Sequence, residues 1–130
     1  MKKLLLVLAL LCGPIFAQSQ SIIPFTIKSG TSISGPVYLG SCTIAGIEMP
    51  KTADGWTTAN LSFQVTTDGT NFKELQDEYG SAKSLAAAVG VFIYVSPADW
   101  WFSGTIKVRS GTLGTPVTQT ADRVLKIICR

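Results

Sequence analysis

The sequence predicts an all-β fold, one antiparallel β-sandwich or jelly roll of about seven to nine short strands. Three observations lead there. Apolar residues recur with period two in short runs. Gly, Pro, Ser, Thr and Asp punctuate those runs at roughly ten-residue intervals. No stretch shows a long amphipathic helical period.

Ile23, Phe25 and Ile27 alternate ahead of Ser29-Gly30, and Val37-Tyr38-Leu39 follows Gly35-Pro36. The run from Cys42 to Met49 is stopped by Pro50, which cannot donate to a ladder. From Asn60 to Thr66 the alternation is cleanest, with Leu61, Phe63 and Val65 on one face and Ser62, Gln64 and Thr66 on the other. Asp68-Gly69 accepts the positive φ angles of a tight hairpin, and Phe72 to Leu75 is the return strand. Ser81 to Val89, bounded by Gly80 and Gly90, is ambiguous, since Lys83, Leu85 and Ala86 to Ala88 could form a helical turn or two.

The β-branched and aromatic run Val91-Phe92-Ile93-Tyr94-Val95 reads as a central strand buried on both faces, ended by Pro97. Ile106 and Val108 point inward with Lys107 and Arg109 outward, and Ser110-Gly111 closes that strand. A polar connection from Leu113 to Ala121 leads to the last strand, Val124 to Cys129, with Leu125, Ile127 and Cys129 on one face. The expected core is Leu61, Phe63, Val65, Ile93, Ile106, Val108, Leu125 and Ile127.

A chain of 130 residues holds one hydrophobic core, and 46% hydrophobic against 15% charged residues gives it enough apolar surface to fold. The formal charge of +3 includes Lys2 and Lys3; without them nine basic residues face eight acidic ones, or +1. Charges scattered singly make no basic stripe for phosphates, so no nucleic-acid partner is expected.

Residues 1–17 have the three parts of a signal peptide: Lys2 and Lys3, an apolar run from Leu4 to Leu11 extending to Phe16, and Ala17 before Gln18-Ser19-Gln20. Cleavage is expected after Ala17, leaving residues 18–130 as one domain. The run is too short to span a bilayer and contains Gly13 and Pro14, so no stable membrane anchor is expected. Lipidation of Cys12 is an alternative, opposed by Leu11 where a small residue is needed. After cleavage Cys42 and Cys129 remain, an even count that suggests a disulfide in an exported chain, the alternative being two buried thiols.

The sequence has no histidine, which removes the commonest general base and zinc ligand. Glu74, Asp77 and Glu78 cluster after the hairpin without a second carboxylate set against them, and read as solvated acids. Asp68, Asp77 and Glu78 match no calcium-loop spacing. No enzyme activity, metal site or cofactor is expected. Trp56, Tyr79, Trp100 and Trp101 all fall in loops, where they could bind a partner or stack on a sugar, or else plug the ends of the sandwich. Trp56 is the first choice for a plug because it leads into a strand.

Three stretches carry a resemblance. Ile23 to Ile27 with Ser29 to Gly40 and Ile44 to Pro50 is one; Trp56 to Asn71 is another; Lys107 to Thr112 with Gln119 to Arg123 is the third. Together they resemble a group of small tailed-phage and prophage proteins over Ile22 to about Cys129. That resemblance implies a virion β-sandwich of the head-decoration, fibre or accessory structural type, whose partners are other virion proteins or further copies of itself. The leader departs from that group and supports a second reading: a periplasmic or extracellular recognition module that binds surface carbohydrate through Trp100, Trp101, Tyr79 and Trp56.

Overall fold

The computed structural model describes residues 20–100 and 104–130. The expected leader, Cys12 and Trp101 lie outside those residues. Nine strands run through the described chain: β1 (Ile22–Ile27), β2 (Val37–Gly40), β3 (Ile44–Glu48), β4 (Leu61–Thr66), β5 (Lys73–Glu74), β6 (Ser84–Leu85), β7 (Phe92–Tyr94), β8 (Gly104–Ser110) and β9 (Arg123–Cys129). One sheet has the order β1-β9-β3-β7; the other is β2-β8-β4-β5, with β6 also on β4. All strand pairings are antiparallel.

The period-two pattern acts as expected. Phe25, Ile27, Ile44, Ile47, Leu125 and Ile127 of the first sheet share one buried cluster with Val37, Leu39, Leu61, Phe63, Ile106 and Val108 of the second. Val65 and Ile93 are only partly buried and pack against this cluster from its margin. The Cys42–Cys129 disulfide joins the segment before β3 to the end of β9. Both cysteines are buried.

Three expectations need correction, and the ambiguous stretch is settled. Val91 to Val95 is not a strand buried on both faces: β7 pairs only with β3 and is an edge, with Phe92 and Tyr94 55% and 72% exposed. Its composition favours a pleated surface but says nothing about how many neighbours cover it. The segment from Ser81 to Val89 is extended rather than helical, because the free edge of β4 supplies partners: Leu61 pairs with Leu85 and Ser62 with Ser84. Arg109 does point away from the core between the sheets, yet it is 6% exposed and ion-paired with Glu74, which is therefore no solvated acid. Finally, the turn after β4 is longer than a two-residue hairpin; Gly69 alone takes a positive φ, of 77°.

That turn is organised by Asp68. Its carboxylate accepts the backbone N–H groups of Asn71 at 2.8 Å and Thr70 at 2.9 Å, together with the Asn71 amide and the Thr66 hydroxyl. Donation from Asn71, Thr70 and Thr66 holds its carboxyl well below the usual carboxylate range. Asp122 is lowered too, by the Ser29 N–H and the Lys28 ammonium. A carboxyl depressed on folding contributes stability above its unfolded value of about 4, which is lost as pH falls toward the folded value. The melting temperature is therefore expected to drop on acidification below about pH 4–5, and the gap between wild type and Asp68→Asn to narrow there. Melting curves from pH 7 to 3 test this; a constant gap would contradict it.

Candidate functional site

Strand alternation that buries one side of β1, β9, β3 and β7 must display the other. The residues on that side are Ile22, Pro24 and Thr26 from β1, Val124, Lys126 and Ile128 from β9, Gly46 and Glu48 from β3, and Phe92 and Tyr94 from β7; of these Ile128 and Gly46 are themselves buried. The register arranges them in rows. Ile22, Ile128, Gly46 and Tyr94 form one; Pro24, Lys126, Glu48 and Phe92 form the next.

This face is apolar and open. Ile22 is 56% exposed and Val124 52%, comparable with Phe92. Gly46 matters because the Phe92 ring lies across it: a Cβ there would collide with the ring and come within 2.8 Å of the Ile93 carbonyl oxygen. The missing side chain lets an aromatic ring lie down on the sheet instead of standing off it. The charges in these two rows are Lys126 and Glu48, paired across strands at 3.1 Å. Beside Glu48 and Phe92 a shallow groove of about 510 Å³ continues past Met49, Lys51 and Val91.

The opposite outer face differs in kind. There Ser62, Gln64 and Thr66 of β4 lie beside Thr105, Lys107 and Arg109 of β8. Arg109 pairs with Glu74 and reaches the Ser62 hydroxyl at 3.5 Å, while the Lys107 ammonium sits 4.3 Å from the centre of the Phe72 ring. Polar groups on that face satisfy one another. Exposed apolar side chains gathered on one face of a folded domain are a candidate interaction site.

The aromatic residues expected to bind do not converge. Trp100 is 4% exposed, its ring edge-on to Phe63 at 4.6 Å and 75°, so it is a core plug and not a contact residue. Sequence alone pointed to Trp56 for that role. Trp56 is instead half-buried, its indole N–H donating to the Ala59 carbonyl at 3.1 Å. Its loop is anchored by buried Gln119, whose side chain exchanges two hydrogen bonds with the Thr57 backbone at 3.0 and 3.1 Å. Arg123 clasps the same loop through the Asp54 carbonyl and also donates to the Thr120 hydroxyl of its own connection. Tyr79, 85% exposed, stands alone at the tip of a turn that Asp77 holds through the N–H groups of Tyr79 and Ser81.

Phe92 and Tyr94 are the aromatics that sequence reasoning missed. The available signal was their spacing of two within a run, which puts both rings on one side.

The acids offer no paired arrangement for hydrolysis. Glu74 is held by Arg109 and Asp77 by its own turn. Among the described residues no three His, Cys, Asp or Glu side chains come together to hold a metal ion. Among the same residues no helix is long and apolar enough to cross a membrane. The disulfide belongs to the chemistry of an oxidising, exported compartment. No family model matches the chain, and no curated protein or solved structure matches it.

Proposed function

We propose that this chain is a non-enzymatic structural or accessory protein of a phage particle, of the decoration or fibre type. Its working surface is the outer face of the β1-β9-β3-β7 sheet. The observation that carries this reading is the contrast between the two outer faces: one mostly polar, with Tyr38 its exposed aromatic, the other displaying Ile22, Phe92, Tyr94 and Val124 to solvent. A domain with such a face works by packing. The resemblance of Ile22 to Cys129 to small tailed-phage proteins supplies the setting.

The alternative, an exported module stacking carbohydrate on loop aromatics, has less support. Trp100 lies in the core, Trp56 is half-buried, and Tyr79 is isolated.

Mass spectrometry of purified particles beside the culture supernatant tests the proposal. The chain is expected in particles at a fixed ratio to the other structural proteins. Finding it in the supernatant alone would overturn the virion assignment.

A further inference from the structure

We infer that the outer face of the β1-β9-β3-β7 sheet joins two copies of this chain face to face, about a two-fold axis running along the strands between β9 and β3. The inference rests on reading the domain as a packing module, and it names the partner.

Charge complementarity carries the first step. In the row Pro24, Lys126, Glu48, Phe92, the one cation and the one anion occupy neighbouring strands, with side chains 40% and 42% exposed. Rotation about an axis between those strands sets Lys126 over the partner's Glu48 and Glu48 over the partner's Lys126. Four charges then alternate in sign around the axis, and each gains a second opposite neighbour. A partner carrying a single sign of charge would leave one member of the pair opposed to its like.

The matching of apolar residues carries the second step. The same rotation reverses the strand order, so β1 faces the partner's β7 and β9 faces its β3. In the row Ile22, Ile128, Gly46, Tyr94, that places the exposed Ile22 against the partner's exposed Tyr94, while Ile128 and Gly46, both already buried, stay beneath the contact. In the neighbouring row Pro24 meets the partner's Phe92. Exposed apolar side chains thus meet exposed apolar ones in each row. A self-complementary patch of this kind is what an isologous interface requires, and sheets packed face to face tolerate the twist between them.

Area carries the third. The exposed parts of Ile22, Pro24, Phe92, Tyr94 and Val124, with the stems of Lys126 and Glu48, span all four strands of the sheet, the extent that a standard interface of about 800 Å² per partner needs. The apolar side chains flanking the pair supply the apolar contact, and the aromatic residues are the anchors.

Sedimentation of the full chain, purified with its disulfide intact, tests the arrangement. The wild type is expected to be a dimer. Tyr94→Glu and Lys126→Glu are expected to weaken association about 30-fold or more. Combining Lys126→Glu with Glu48→Lys restores the alternation of charge and is expected to restore the dimer. Tyr38→Glu, on the other sheet and 74% exposed, is expected to leave it unchanged. Melting curves establish that each variant remains folded. A monomeric wild type at about 100 μM, where any interface worth the name should be populated, would overturn the inference, as would a dimer that survives both Tyr94→Glu and Lys126→Glu. A monomer still found in particles at a fixed ratio would sink the dimer and leave the virion reading standing. A dimer absent from particles would do the reverse.

Discussion

Replacing Cys42 and Cys129 together by serine is expected to lower the unfolding free energy by about 4–5 kcal/mol. The bond spans a sequence separation of 87, so it closes a loop of most of the domain and restricts the unfolded chain heavily. It also fastens the end of β9, which pairs with both β1 and β3 and so holds the centre of its sheet. For a domain whose total stability is on the order of 5–15 kcal/mol, the loss is a large share. Denaturant unfolding of the oxidised wild type, the same protein reduced, and the double serine variant measures it. The reduced protein and the variant should unfold together at a much lower midpoint. A difference under about 1 kcal/mol would mean that the bond adds little to what packing already fixes.

Trp100→Ala is expected to cost about 3–5 kcal/mol, the range for truncating a buried aromatic side chain. Removing the indole opens a cavity against Phe63, itself fully buried, and abolishes an edge-to-face ring contact. Trp100→Phe, which keeps an aromatic ring, is expected to cost markedly less. Tyr79→Ala, at an exposed turn, should stay within about 0.5 kcal/mol of wild type. Thermal melts of the three variants separate a plug from a surface residue. If Trp100→Ala melted with the wild type while Tyr79→Ala fell, the two aromatics would have exchanged roles.

The sandwich was legible in the sequence where alternation and turn chemistry agree. Leu61 and Phe63 in β4, Ile106 and Val108 in β8, and Leu125 and Ile127 in β9 all face inward as their spacing requires. The two cysteines outside the expected leader pointed to the bond that the structure contains. What stayed hidden depends on contacts between distant segments. Nothing near Arg109 reveals that Glu74, 35 residues away, draws it into a buried ion pair. Nothing near Gln119 reveals the Thr57 backbone that it binds across 62 residues.

The candidate site was hidden for a related reason. The run around Phe92 is equally apolar whether the strand sits at the centre of a sheet or at its edge, and only the pairing of β7 with β3 alone exposes the rings. Loop aromatics drew attention because loops usually carry binding residues. In this fold one of those rings completes the core.

Incorporation of two single variants into purified particles locates the working surface most directly. Tyr94→Glu places a charge on the outer face of the β1-β9-β3-β7 sheet at a residue 72% exposed, and Tyr79→Ala removes the exposed loop ring; neither touches the core. Mass spectrometry of particles grown with each variant should find Tyr94→Glu lost or strongly depleted and Tyr79→Ala at the wild-type ratio. Retention of Tyr94→Glu together with loss of Tyr79→Ala would contradict the assignment and move the function back to the loops.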